Sequence, residues 1–261
     1  MLHKLSLHPS LVMQIRVIGA LVLREARATF GSSQLGYLWA ILVPTIGTLF
    51  LVAIFSVAGR LPPYGTSFAM FFASGMMVLQ MFTKLSDSLM NVFDANKALL
   101  TYPPIKGTDV LFARTILICA TYILIIFVFF SILICLDWAD LPSHLGEVLA
   151  ALAVTTLFGF GFGATNACLL TLWDSWKHIK NILMKPLFFI SGIFYVPSYM
   201  PQDVIKYLRW NPALHLIEWF RNGYYPNYDS LVLDKTFVLS ISVIFVFTGL
   251  VGEVLTRKSR G

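Results

Sequence analysis

Cutting the 261-residue chain at its charged side chains leaves six long runs that carry none: residues 28–59, 61–83, 115–136, 148–173, 186–202 and 236–252. A helix needs about 20 apolar residues to cross the hydrocarbon core of a bilayer, with roughly 17 as the lower limit. All six runs reach that limit, the last two with 17 residues each. Lipid offers no partner for an exposed backbone N–H or C=O, and these runs are continuously apolar instead of alternating as barrel strands do, so the spans are expected to be helices. Only 12% of the residues are charged and 57% are hydrophobic; the charged share is about half that of an ordinary soluble domain. The fold class expected is therefore all-α integral membrane, with six transmembrane helices at about 35–58, 67–89, 110–136, 148–173, 180–195 and 236–253.

Lys and Arg are retained on the cytoplasmic side of a membrane. With the N-terminus inside, fourteen of the 19 basic residues fall in inner segments and five outside: Arg60, Lys206, Arg209, Arg221 and Lys235. Both termini are then expected in the cytoplasm. The net charge of +6 is mostly this topology signal and is not read as a nucleic-acid footprint. Arg16 and Gly19 interrupt the apolar stretch 11–23 and no small-residue cleavage site follows, so insertion through the spans themselves is expected. Cys119, Cys135 and Cys168 all fall within expected spans and are read as small apolar residues.

Residues 1–34 are assigned to a cytoplasmic segment whose main element, over 11–30, is an amphipathic helix lying in the membrane plane. At 100° per residue Leu11, Ile15, Ile18, Val22, Ala26 and Thr29 share one face, and Arg16, Arg24 and Arg27 cluster opposite. Glu25 projects to the edge of the apolar face, where an unpaired carboxylate is costly, so it is expected to pair with a basic group or a partner protein. Over 24–44 the chain passes from this charged helix through Gly31, Ser32, Ser33 and Gly36 into the first span, with Tyr37 and Trp39 at the boundary and Pro44 and Gly47 inside it. The loop over 91–109 begins as a helix, is stopped by Pro103 and Pro104, and restarts near Thr108, an expected N-cap with Asp109 in the first turn. A short helix between two breaks, lying across the span ends, has the geometry to receive force from a cytosolic partner. Gly159, Gly161 and Gly163 in the fourth span permit close helix contact.

Beyond Lys185 the pattern changes, because Gly192, Pro197, Pro201 and Pro212 break any regular helix. The stretch 195–225 is too charged to span and too apolar for a free loop. Two short helices dipping into the outer leaflet, buried against protein or lining a cavity, fit both facts and would form a re-entrant gate between spans five and six. A basic tail, 255–261, follows the last span. The runs hold no acid or base for a proton or ion relay, which argues against a secondary transporter driven by ion gradients. There is no GxxxxGK[ST], HExxH or GxSxG, and no Cys or His cluster with metal spacing, so no metal site is expected and this chain is not expected to bind nucleotide phosphates in a Walker loop.

Three separated motifs, LREARATFGSSQLGYLWAILVPTI, NKALLTYPPIKGTDVLFAR, and KPLFFISGIFYVPSYMP followed by LRWNPALHLIEWFR, resemble the membrane subunit of type-2 ABC exporters, most closely the capsular polysaccharide export permeases. The resemblance covers about residues 15–255. It implies a homodimer of six-span, non-catalytic subunits in the bacterial inner membrane, paired with two copies of a cytosolic ABC ATPase that binds ATP and Mg, with no cofactor bound by this chain. The substrate implied is a lipid-linked acidic polysaccharide carried from the inner leaflet towards the periplasm. Arg24, Glu25 and Arg27 correspond to the family's interface helix, and Asp94, Asn96 and Lys97 to its coupling helix; these are the expected ATPase-coupling residues. Aromatic rings stack on sugar faces, so Tyr37, Trp39, Tyr195, Tyr199, Trp210 and Trp219, near the span mouths, are candidates for the substrate channel or a lateral gate. Docking of periplasmic and outer-membrane export proteins on the outer loops stays open. So do export of O-antigen, teichoic acid or a drug, and, from another class, a membrane enzyme acting on lipid-linked sugars, which would need the clustered acids, histidines or metal that the sequence does not offer.

Overall fold

The computed structural model describes residues 7–31, 34–57, 61–102 and 105–257. The break at Pro103 and Pro104, Arg60, and tail residues 258–261 lie outside the described residues. Among those described, every regular element is helical: α1 Leu7–Phe30, α2 Gln34–Val57, α3 Phe68–Met90, the single turns α4 Val92–Ala95 and α5 Lys97–Leu100, α6 Gly107–Cys135, α7 Leu145–Leu172, α8 Trp176–Ile190, α9 Gln202–Leu208, α10 Pro212–Tyr224 and α11 Lys235–Thr256. Four of them, α3, α6, α7 and α11, have the length and hydropathy to cross a membrane, and Ile41–Phe55 within α2 is a further apolar helical stretch. The molecule is an all-helical membrane protein.

The body is built around α7, which packs against α3, α10 and α11. Its glycines make this possible on two faces. A Cβ at Gly159 or Gly163 would lie 2.9 Å from Leu85 or 2.8 Å from Leu89 of α3, and one at Gly161 would lie 2.5 Å from the backbone nitrogen of Val246 in α11. Gly249 answers from α11 against Ala164. Small residues at such crossings let backbones approach, which is the main source of helix association where lipid supplies no hydrophobic drive. Phe71, Met77, Met81, Leu85 and Leu89 of α3 are wholly buried in this core. Cys168 is buried and Cys119 half-buried, whereas Cys135 is exposed at the end of α6.

Pro44 sits inside α2 and has no N–H for the helix ladder. Around it the Thr45 hydroxyl donates to the Ile41 carbonyl (2.7 Å) and the Thr48 hydroxyl to that of Pro44 (2.9 Å). The start of α6 corrects an expectation: the helix begins at Gly107, and the Asp109 carboxylate accepts the Lys106 N–H at 3.0 Å. Asp109 therefore caps the turn, and Thr108 lies inside the helix. The fifth expected span is also redrawn. α8 begins at Trp176, ahead of residue 180, and stops at Ile190, short of 195. Lys180 lies within it, its ammonium reaching Asp87 on α3. It ends where Gly192 takes φ +79°, a left-handed turn that glycine alone adopts without strain. At 15 residues and about 1.5 Å per residue, α8 is shorter than the hydrocarbon core.

Past that turn come a 3-10 turn, Pro197–Tyr199, then α9 and α10. The sequence marks Glu218 and Arg221 of α10 as charges that keep the segment out of a span; the structure buries both completely. The Arg221 guanidinium donates to the carbonyls of Gly192 (2.7 Å), Ile193 (3.3 Å) and Phe71 (3.3 Å) and to the Ser74 hydroxyl (3.2 Å), and it lies 3.8 Å above the Phe71 ring. Glu218, 3.5 Å from Arg221, accepts from Tyr228 (2.8 Å) and Ser230 (2.6 Å). One arginine thus pins α10 to α3 and to the turn after α8.

Two substitutions test this architecture in detergent-solubilised protein. Gly161→Leu should destabilise by at least the ~1–3 kcal/mol typical of overpacking, seen as a lower melting temperature, whereas Gly146→Ala, whose Cβ meets nothing within 4 Å, should leave it unchanged or raised. Arg221→Met leaves Glu218 buried without its cation and should cost about 3–5 kcal/mol by SDS or thermal unfolding.

Candidate functional site

α1 lies on α6. The face it buries runs through Ile18, Leu21, Val22 and Glu25, while Ile15 and Thr29 are exposed, so the packed stripe is rotated from the purely apolar one. The rotation brings Glu25 inward, to 2% exposure. Its carboxylate accepts from Arg114 Nε of α6 (2.9 Å) and from Nη2 of the same side chain, and from Arg24 Nη2 (2.8 Å). Arg24 also donates to the Oδ1 of Asn96, which sits between α4 and α5 and is itself held by its Nδ2 on the Val92 carbonyl (2.9 Å). Arg114 reaches on to the Ser88 carbonyl in α3 (3.3 Å). A second tie joins Gln14 to Asp109 at 3.3 Å. Four segments, α1, the last turns of α3, the α4–α5 junction and α6, are joined through one carboxylate. Burial by itself would raise the Glu25 pKa, but the hydrogen bonds and charge of Arg114, with the donors of Arg24 and Asn96, outweigh it and hold the group below the usual carboxylate value.

Of the six expected coupling residues, Arg24, Glu25 and Asn96 meet in this cluster. Asp94 and Lys97 are exposed nearby and line a cavity of about 570 Å³ with Tyr102, Lys106, Asp174 and Arg257, between the loop and the ends of α7 and α11. Arg27 is exposed and stands apart from the cluster. The expected pairing of Glu25 is internal, and its partner across the fold, Arg114, is the residue that sequence reasoning missed. A signal existed: Arg114 is the last charge before a long apolar run, as Glu25 is the one acid on an apolar stripe, and two lone opposite charges on neighbouring helices call for each other.

The six aromatic candidates do not converge on one place. Nothing is described of the Tyr37 side chain. Trp39 is exposed and lines a second cavity, between α1, α2, α3 and α6, with Pro44, Lys84, Arg114 and Tyr122. Tyr195 donates to the Ile190 carbonyl (3.2 Å). Tyr199 and Trp210 are exposed, the latter edge-on to Phe237. Trp219 is turned inward: its Nε1 donates to Glu147 (2.6 Å), which also receives Lys235 Nζ (2.7 Å). Among the described residues, no group of three His, Cys, Asp or Glu is placed to hold a metal ion.

Long apolar helices with an amphipathic helix clamped across one end define a multi-pass membrane protein. The sequence matches the family described as ABC-2 type transporter over residues 16–225, and the chain belongs to that family. It is 30% identical over 237 residues to the polysialic acid transport protein KpsM of Escherichia coli, covering 89% of this chain and 90% of that one. It is 26% identical over 260 residues to the capsule polysaccharide export inner-membrane protein CtrC of Neisseria meningitidis (100% and 97% covered) and 28% identical over 251 residues to BexB of Haemophilus influenzae, which bears the same description (93% and 94%).

Glu25 has a folded pKa below its unfolded value of about 4.3, so its stabilisation is complete above that value and is lost as pH falls through the folded pKa. Unfolding measured from pH 7 down to pH 3 should show this loss in the wild type. Glu25→Gln should remove that acid-sensitive component and, at pH 7, cost up to the ~3–5 kcal/mol of a broken buried pair.

Proposed function

We propose that this chain is the membrane-spanning permease subunit of an ATP-driven exporter that moves lipid-linked, acidic capsular polysaccharide across the bacterial inner membrane. Family membership and the roles for which the relatives are named support the class and the substrate. The observation that carries the ATP-coupled reading is the Glu25 cluster, because it makes α1 and the α4–α5 loop one mechanical unit with α3 and α6. In this reading two copies of a cytosolic ABC ATPase, which bind the ATP and Mg, dock against the loop around Asp94 and Lys97 and against Arg27. Docking that differs between nucleotide states shifts the unit between two positions, and α3 and α6 follow. This chain hydrolyses nothing and binds no cofactor.

The same reading makes the loop end cytoplasmic, together with both termini, as the excess of Lys and Arg favours. α2, and α8 continued through the turn at Gly192, complete a six-span subunit. Their exposed Phe50, Ile182 and Phe189 form the surface on which a second copy closes the channel, with Tyr37 and Trp39 beside its lateral entrance. The segment 195–225 becomes the periplasmic gate, in which Tyr199 and Trp210 are free to meet sugar rings while Trp219 holds the gate to α7 through Glu147. Periplasmic and outer-membrane export proteins would meet the outer loops.

A strain lacking this chain should accumulate capsule polymer in the cytoplasm, and wild-type protein should restore surface capsule only when the partner ATPase keeps its Walker lysine. Normal surface capsule in the deletion strain would overturn the reading, and lipopolysaccharide lacking its O-chain would assign the substrate to O-antigen. In the purified complex, Asp94→Asn or Lys97→Gln should lower transport-linked ATP hydrolysis by about five-fold or more at unchanged abundance; equal losses of both would reduce the loop to a structural element.

A further inference from the structure

The segment between α8 and α11 is closed by a histidine that the coupling cluster does not use. His215 stands in the first turn of α10 and is 1% exposed. Its Nε2 lies 2.8 Å from the carbonyl of Arg209, the C-cap of α9, and its Nδ1 lies 3.0 Å from the backbone nitrogen of Asp234, the N-cap of α11. Both are groups that a helix end leaves without an intrahelical partner. One imidazole thus satisfies the end of α9 and the start of α11 and ties both to α10.

Those partners fix its charge. A carbonyl only accepts, so Nε2 carries the hydrogen; a backbone N–H only donates, so Nδ1 keeps its lone pair free. The ring held here is the neutral Nε2–H tautomer, and a second proton on Nδ1 would meet the Asp234 N–H donor to donor. The Asp234 carboxylate is engaged at the α11 cap, where Oδ1 accepts from the Phe237 N–H at 2.9 Å. Arg209 and Lys206 of α9 and Lys235 of α11 line the same cavity of about 680 Å³ and set cations around the ring. Glu218, three residues along α10, is taken by Arg221, Tyr228 and Ser230. Phe237 packs against the imidazole, 5.1 Å between ring centroids. Burial, foremost, holds the His215 pKa below the usual imidazole value, and the Arg209 charge acts in the same direction; the bond to the Arg209 carbonyl and the Asp234 charge oppose them without prevailing.

We propose that His215 is a pH-sensitive latch: neutral, it locks α9, α10 and the start of α11 together, and protonated, it releases residues 232–236 from the end of α9. An imidazolium has to leave its pocket for water or draw the Asp234 carboxylate off the α11 cap, and each path frees the same stretch. The closed form binds a proton less readily than the open one, whose histidine has a pKa of about 6.5. Closure is therefore complete above that value and is lost as pH falls below it towards the closed-state pKa. In the reading given above this segment faces the periplasm, so acid would loosen the gate; the latch itself does not depend on that reading.

The test is amide hydrogen exchange, read by mass spectrometry on the full-length protein in detergent with no ATPase or export substrate present. Labelling runs at pH 7.5, 6.5 and 5.5, all above the ordinary carboxylate range, with times scaled for the intrinsic pH dependence of exchange. Opening of peptides covering 230–240 should increase as pH falls, by up to about ten-fold per pH unit below ~6.5, while α7 stays protected. His215→Gln keeps a donor and an acceptor without a titrating ring and should remove the increase. His144→Gln, at the histidine that caps the start of α7, should keep it. Asp234→Asn retains a capping side chain but loses the charge, so it should keep the increase at a lower pH. Should His215→Gln fail to fold, the wild type and the other two variants still decide. No increase in the wild type, an equal increase in α7, an increase that persists in His215→Gln, or its loss in His144→Gln or Asp234→Asn would each overturn the proposal.

Discussion

Lipid chains are as apolar as leucine, so helices that share a bilayer are joined by close packing and by polar groups that have nowhere else to go. In this molecule both conditions meet at α7. Gly161 and Gly249 let α7 and α11 touch backbone to backbone, and Gly159 and Gly163, one turn apart, make room for the Leu85 and Leu89 side chains of α3. α10 packs against α7 and α3, α6 against α3, and α1 on the outside of α6.

The two buried charge clusters do a different kind of work. A buried ion pair loses in desolvation much of what it gains in attraction, so neither is needed for stability alone. Each instead fixes an irregular segment to a continuous helix at a unique register. Glu25, Arg24, Arg114 and Asn96 fasten the surface helix and the loop after α3 to α6; Arg221 and Glu218 fasten the broken stretch after α8 to α3. In the exporter proposed above, driven from one side and opened at the other, those are the two places where movement would be transmitted.

Much was legible before any coordinates. Four of the six charge-free runs announce helices long and apolar enough to cross a membrane, the alternate glycines announce a tight crossing, and a carboxylate on an apolar stripe announces a buried partner. The misreadings have a common cause. Periodicity put the inner face of α1 on apolar side chains alone, yet the ion pair with Arg114 turns the helix until Glu25 is inside and Ile15 outside. Charge was taken to keep 195–225 out of a span, yet Glu218 and Arg221 are buried completely, because Arg221 is received by carbonyls of α3 and of the turn after α8 and Glu218 by Arg221, Tyr228 and Ser230.

What the sequence determined by itself is the part of the fold that depends on neighbours along the chain: helices wherever lipid forbids an unpaired backbone, turns where Gly192 and the prolines interrupt them, and an amphipathic helix ahead of the first apolar run. Only the tertiary structure decided which charges are inside, which face of α1 is inside with them, and that Asp94 and Lys97 stay exposed while Asn96 beside them does not. The reason is physical. A hydrogen bond within a helix is set by residues four apart, whereas the cost of burying a charge is offset only by a group brought close in space, as Arg114 is to Glu25 from 89 residues away.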